Sequence, residues 1–219
     1  MVKEGFPFVI VPAVLALLFG ALQLWIVAAI FAVIAIFMAF FFRDPHRNIP
    51  SAAGLILSAA DGRVTRVEET DEGKFVSVFL SPLDVHINRS PIGGTVTRIE
   101  YVEGRKMPAF SVNASYENER NSLTIKNERI TVVCTQIAGV LARRIVCWPD
   151  VGDKLLPGEK FGLIKFSSRT DLLMPKNVEV LVKVGDRVKG GESIIATYYF
   201  GFVPQQIDVQ KAGLQLAPG

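Results

Sequence analysis

Phe161-Gly162-Leu163-Ile164-Lys165-Phe166-Ser167-Ser168-Arg169-Thr170-Asp171-Leu172-Leu173-Met174-Pro175 sets the reading of this chain. It runs as a strand, a break at two serines, and a second strand that stops at a proline, which has no N–H to give a ladder. A hydroxyl at a strand break is presented either to solvent or to its own backbone carbonyl. Ser168 is on that ground a candidate nucleophile, and equally an ordinary turn residue, because serine pairs are common in turns.

Working outward, short β-branched or aromatic runs recur at 62–68, 75–80, 94–101, 122–126, 129–135, 143–148, 162–166, 178–182 and 193–199. Gly, Pro, Asn or Asp punctuates most of the gaps. The pattern predicts a mainly β, barrel- or sandwich-like domain over 51–219, with one short helix around 136–141. Two segments resemble each other, Val151-Gly152-Asp153-Lys154-Leu155-Leu156-Pro157-Gly158-Glu159 and Val184-Gly185-Asp186-Arg187-Val188-Lys189-Gly190-Gly191-Glu192. Their turns are like those of the small β-barrels that carry lipoyl and biotinyl groups. Such barrels need a lysine at a hairpin tip in a Met-Lys-Met or Asp-Lys-Ala context, which this chain lacks, so the turns read as architecture and not as a cofactor site.

The N-terminus is of another kind. No charged residue falls between Glu4 and Arg43, and this run contributes much of the 50% hydrophobic content and the mean hydropathy of +0.35. A membrane helix needs about 20 apolar residues. A single helix of roughly 36 residues would be about 54 Å long, so residues 1–42 are predicted to be a transmembrane helical hairpin, with arms 6–19 and 22–42 turning at Gly20-Ala21. Pro12 would distort the first arm, which leaves a re-entrant arm as the alternative. The run is too long for a cleavable leader. Arg43-Asp44-Pro45-His46-Arg47-Asn48-Ile49-Pro50 forms a juxtamembrane linker over 43–50, and Arg43 and Arg47 place that side, with the C-terminal domain, in the cytoplasm at the cell membrane. Cys134 and Cys147 lie in apolar runs and read as buried free thiols. The net charge of +3 carries no basic stripe with interleaved aromatics, so no nucleic-acid partner is expected.

The chain has two histidines, which narrows the choice of general base. His46 sits in the linker among charged residues, where an interfacial role is expected. His86 lies in Ser81-Pro82-Leu83-Asp84-Val85-His86-Ile87-Asn88-Arg89, where strand alternation sets Asp84 and His86 on one face, opposite Val85 and Ile87. Asp61-Gly62 is first of all a turn opening a strand. No His-x-x-x-His or Cys-x-x-Cys pair suggests a metal site, and there is neither a phosphate-binding glycine loop nor a Gly-x-Ser-x-Gly elbow.

Arg43-Asp44-Pro45-His46-Arg47, Ala60-Asp61-Gly62, Ser81–Arg89 and the 161–175 segment occur in this order behind an apolar N-terminus. Together they resemble the short phosphatidylserine decarboxylase family, including its archaetidylserine decarboxylases. The resemblance implies a pyruvoyl enzyme made from an inactive proenzyme that cleaves itself at a Gly-Ser bond, with the serine corresponding to Ser168. Asp61 and His86 match the aspartate and histidine of the self-processing triad. In that chemistry His86, oriented by Asp61, takes the Ser168 proton and Ser168 attacks the carbonyl of residue 167. β-Elimination then leaves a pyruvoyl group at 168. The pyruvoyl ketone forms a Schiff base with the serine head group and accepts the electrons of decarboxylation; His86 is the candidate proton donor to the product. The implied partners are a membrane phospholipid, the bilayer and the two cleaved chains, 1–167 and 168–219, for each other; a homo-oligomer is also expected.

One departure stands out. Ser167 replaces the family's glycine before the cleaved bond. Glycine permits φ > 0 and a close approach of the attacking oxygen, so this chain either cleaves with Ser167 in place or is held as a precursor. Two other functions compete: a membrane-anchored adaptor of lipoyl-barrel type, which leaves the ordered motifs unexplained, and a membrane serine hydrolase using Ser168 with His86, which lacks a nucleophile elbow.

Overall fold

A computed structural model describes residues 1–104, 117–139, 145–165 and 168–198, in two compact units, Met1–His46 and Arg47–Gly219. In the first unit α1 (Phe6–Ala21) and α2 (Trp25–Phe41) lie side by side after a 3-10 turn at Lys3–Gly5. Phe19 stacks on Phe31 at 5.5 Å and Phe8 on Phe42 at 5.3 Å. The chain reverses at residues 22–24, beyond the expected Gly20-Ala21, because Gln23 adopts a left-handed conformation with φ of 60°. Pro12 is accommodated inside α1. Lys3–Ala21 is long and apolar enough to cross a bilayer, while α2 is shorter at 17 residues. Large side chains such as Leu17 and Ile26 stand 75% and 81% exposed, so these helices are apolar on their outward faces as well.

The second unit is mainly β. Its strands are β1 (Leu55–Leu57), β2 (Gly62–Glu69), β3 (Lys74–Leu80), β4 (Ile87–Arg89), β5 (Gly94–Val102), β6 (Arg120–Lys126), β7 (Thr131–Ala138), β8 (Ile145–Cys147), β9 (Lys154–Leu155), β10 (Lys160–Ile164), β11 (Ser168–Met174), β12 (Glu179–Val180), β13 (Arg187–Val188) and β14 (Ile194–Thr197). Among the described residues they form an eight-stranded sheet, β13-β2-β3-β11-β7-β6-β5-β9, and two three-stranded sheets, β1-β14-β12 and β4-β10-β8. The helix expected around 136–141 is corrected for residues 136–138, which belong to β7. Gln136 and Ile137 pair there with β11 and β6, and ladder bonds outweigh the local helical pattern.

These orders read the same from both ends. β1, β2, β3, β11, β12, β13 and β14 correspond to β4, β5, β6, β7, β8, β9 and β10, and each pairing in one set has its counterpart in the other. The irregularities match too. β2 slips against β3 between Val64 and Arg66, and β5 against β6 between Val96 and Arg98. The β1–β14 and β4–β10 ladders carry equivalent bulges. A pseudo-twofold axis therefore passes through the β11–β7 ladder at the Leu172–Cys134 pair. The core straddles it, with Val64 and Val96, Val78 and Ile125, and Leu172 and Cys134 all almost fully buried. Burial pushes the Cys134 thiol far up, as expected of an inert core cysteine; Cys147 is half-buried, and burial raises its pKa as well.

The halves are not consecutive. The second half, β4 to β10, is inserted between β3 and β11 of the first. The repeated Val-Gly-Asp turns are equivalent points of the two halves: the Gly152 and Gly185 N–H groups donate to Val96 and Val64 O, both at 2.8 Å, and the Asp153 and Asp186 carboxylates accept the Asp150 and Lys183 N–H, both at 2.9 Å. Both glycines hold positive φ, 104° and 99°, with open space where a Cβ would stand. Gly152→Ala and Gly185→Ala are therefore expected to cost about 1 kcal/mol each, from backbone strain alone. Thermal unfolding should show two similar, additive decreases in Tm.

Candidate functional site

The insertion forces its two ends together. β3 ends at Leu80 and β11 begins at Ser168, and these residues are register partners; Ala138 of β7 pairs with Ser168 on the other side. Ser168 is fully buried, and its Oγ has no hydrogen-bond partner among the described residues. Phe166 and Ser167 lie outside the described residues.

The chain leaving β3 makes a tight turn. The Asp84 carboxylate accepts the Ser81 N–H at 2.8 Å and the Ser81 hydroxyl at 2.6 Å, and the Asp84 N–H donates to Ser81 O at 2.9 Å. His86 Nδ1 then donates to the Asp84 carbonyl at 3.0 Å. A carbonyl can only accept, so in the neutral ring Nδ1 carries the proton and Nε2 is the basic nitrogen. The His86 carbonyl accepts the Ile164 N–H at 3.2 Å, which extends the β4–β10 ladder by one rung. Ile164 precedes Ser168 by four residues, a span of at most about 14 Å. His86 thus lies beside the strand that enters the break, and Ser168 opens the strand that leaves it. The expected alternation of Asp84 and His86 against Val85 and Ile87 is corrected: Asp84 belongs to the turn, and Val85, His86 and Ile87 are all buried because this segment is covered on both sides.

Asp61 sits just before β2. The ladder Arg63–Phe79–Arg169 places Asp61 two strands from the start of β11, roughly 10 Å away. Its carboxylate takes both oxygens to Arg47 Nη2, at 3.0 and 2.8 Å, and Oδ1 also accepts the Gly190 N–H at 2.8 Å. The His86 ring is held by the Asp84 carbonyl, so the structure does not bring Asp61 into a hydrogen bond with His86. Arg47 also lies 3.9 Å from Glu192, whose carboxylate accepts the Asn48 N–H at 3.0 Å. That N–H, helped by the Arg47 and Lys189 charges and opposed by burial, lowers the Glu192 carboxyl below its ordinary value.

Several polar residues behind the site were not singled out from sequence. Asn121 donates to Gln136 (3.1 Å), Gln136 to Asn88 (2.9 Å), and Asn88 to the Thr170 hydroxyl (2.9 Å), a buried relay that ends two residues from Ser168. On the opposite face of β11, Arg169 pairs with Asp171 at 2.9 Å, and the Ser77 hydroxyl donates to Asp171 at 2.5 Å. Arg169 is 2% exposed and Asp171 4%. Charge within a strand that is otherwise apolar was the available signal; three amides spread over three strands offered none. Among the described residues no group of three or more His, Cys, Asp or Glu side chains is placed to hold a metal ion.

Comparison with known proteins identifies the family. The family model for phosphatidylserine decarboxylase matches residues 34–196. The phosphatidylserine decarboxylase proenzyme of Symbiobacterium thermophilum is 47% identical over 204 residues, covering 88% of this chain and 93% of that protein. Those of Geotalea uraniireducens and Carboxydothermus hydrogenoformans are 40% and 42% identical, covering 88% and 89% of this chain and 93% and 95% of theirs. With a buried serine at a strand break, a histidine beside the strand before it, and likeness along nearly the whole length, this chain belongs to the phosphatidylserine decarboxylase family.

Proposed function

We propose that this chain is a membrane-anchored, self-processing decarboxylase that converts a phosphatidylserine-type lipid, phosphatidylserine or archaetidylserine, to the ethanolamine lipid and CO2. The observation that carries this is Ser168: fully buried, at the first rung of β11, with a hydroxyl that holds nothing else among the described residues. A structural turn serine would bond its own backbone, as Ser58 and Ser90 do here at 2.7 and 2.6 Å.

In self-cleavage, His86 Nε2 takes the Ser168 proton and Oγ attacks the carbonyl carbon of residue 167. The chain shifts from nitrogen to oxygen, giving an ester. Loss of the Ser168 α-proton expels the residue-167 carboxylate and leaves dehydroalanine at 168, which takes up water and releases ammonia to give the pyruvoyl end. Asp61 completes the set as a fixed negative charge favouring the imidazolium. The residues fit this group: the Ser168 hydroxyl makes no hydrogen bond among the described residues that its conversion would break, and the remaining rungs of β11 hold the strand after the cut. The pyruvoyl carbonyl supplies the electron sink for decarboxylation. His86 then returns a proton to the product, and the buried setting of Ser168 limits the access of bulk water to the reacting atoms.

The apolar helices α1 and α2 act in this reading as a transmembrane hairpin, with Arg43 and Arg47 on the cytoplasmic side. A substrate that stays in the bilayer is then found by a search in two dimensions. The adaptor reading is not favoured, because the Val-Gly-Asp turns that suggested it are repeated framework of the two halves.

Mass spectrometry of the purified chain should show fragments 1–167 and 168–219, the second blocked to Edman degradation and trapped by hydroxylamine. Ser168→Ala should remain one chain, and His86→Ala should cleave at least about 100-fold more slowly. Ser167→Gly should cleave faster than the native chain. Failure of both the native chain and Ser167→Gly to cleave, with no CO2 released from a phosphatidylserine-type lipid, would overturn this function.

The fragments should stay together after cleavage. The small chain contributes β11 between β3 and β7, β13 against β2, and β14 against β1. Gel filtration in detergent should recover both in one peak, and separation should require denaturant.

A further inference from the structure

The pseudo-twofold provides an internal control for Asp61. Around it the halves agree closely. The Gly191 and Gly158 N–H groups donate to Ser58 and Ser90 O, both at 2.8 Å, and the Ser58 and Ser90 hydroxyls donate to the carbonyls of Ala60 and Ile92. Gly62 pairs with Val188 as Gly94 pairs with Leu155. Between these matched points the chemistry differs. Asp61 corresponds to Gly93, and Gly190, whose N–H bonds Asp61, corresponds to Pro157, which has no N–H. The second half makes the same crossing with Gly93 directly against Pro157, where a Cβ on Gly93 would lie 3.0 Å from the proline ring. A carboxylate is therefore not required to build this turn.

Where the carboxylate does occur, it is held by a residue to which the cleavage chemistry assigns no step. Arg47 closes the Arg43–Arg47 motif. Its side chain is 6% exposed against 14% for Asp61, and it contacts both carboxylate oxygens. Asn48 N–H on Glu192 and Ile49 against Gly158 continue the same strap across the matched Gly-Glu turns of the two halves.

We propose that Arg47 is a positioning residue for Asp61 in self-cleavage, which rests on the reading of Asp61 as a member of the self-processing set. One guanidinium nitrogen, Nη2, bonded to both oxygens, with the Gly190 N–H as a second donor atom on Oδ1, fixes the carboxylate's rotamer and location. The negative charge that favours the imidazolium of His86 is thereby kept at one distance and in one orientation. Lysine would supply the charge from a single ammonium, without a second nitrogen toward Glu192.

The test follows conversion of full-length protein in detergent to the 168–219 fragment, in the native and Ser167→Gly backgrounds, alongside thermal melting. Arg47→Ala should slow cleavage by roughly 10- to 100-fold, the size expected when a catalytic group is misplaced by about 1 Å. Arg47→Lys should recover part of the rate. Gly190→Ala, whose Cβ would stand 3.3 Å from Asp61 Oδ1, should slow cleavage with Arg47 intact. Arg47→Ala combined with Asp61→Asn should be no slower than Asp61→Asn alone, whereas a purely structural role would lower Tm further and add its own slowing. If Arg47→Ala folds poorly, Arg47→Gln is carried through the same cycle. Cleavage at the native rate without Arg47, or additive slowing in the double variant, overturns the proposal while leaving the proposed function intact. If neither background cleaves at all, the proposed function falls and the role of Arg47 with it.

Discussion

The pairing of β3 with β11 is the constraint on which the rest of this molecule depends. Residues 81–167 intervene between two strands that run side by side from Leu80–Ser168 to Lys74–Met174. Closing a loop of that length costs on the order of 4 kcal/mol in chain entropy. The inserted segment offsets that cost by being a folded half in its own right, with β4 to β10 repeating the pairings of the host half. Because β3 and β11 are neighbours, the residue that precedes the insert, Leu80, pairs with Ser168 at the start of β11, and the His86 carbonyl accepts the Ile164 N–H.

This seam accounts for the burial of the reactive groups. A strand break is ordinarily at the surface, where its backbone groups find water. Here the break enters β11, a central strand flanked by β3 and β7, so Ser168 is sealed although it lies at a strand end. Two sets of buried polar side chains close by bond one another. The Asn121–Gln136–Asn88–Thr170 relay ties β6, β7, β4 and β11 together, and Arg169, Asp171 and Ser77 do the same on the other face. Removing one member of such a set leaves its partner buried and unpaired, so the loss of any one member is costly.

The repeat also separates framework from chemistry. Features present in both halves, including the Val-Gly-Asp turns, the paired bulges and the Ser58 and Ser90 turns, are requirements of the fold. Features present in one half invite a functional account. Asp61 with Arg47 is such a feature, and so is Ser168, whose pseudo-equivalent by register is Ile130, a residue with no hydroxyl.

Much of this was legible in the chain itself. Hydropathy is additive along a segment, so the apolar N-terminus and the β-rich remainder follow from counting, and the break at Ser167-Ser168 follows from a change of pattern within a few residues. The repeated turns were visible because positive-φ glycines and capping aspartates are local demands. The family followed from motif order. Three features needed the tertiary structure: the nesting of one half within the other, the His86 ring on the Asp84 carbonyl, and Arg47 on Asp61. Each depends on which segments become neighbours. Strand pairing is decided by summed contacts across the whole sheet, and a single charged side chain carries no mark of the partner it will meet. The family resemblance made Asp61 a candidate to orient His86; in the fold its carboxylate bonds Arg47, and the histidine Nδ1 bonds a backbone carbonyl.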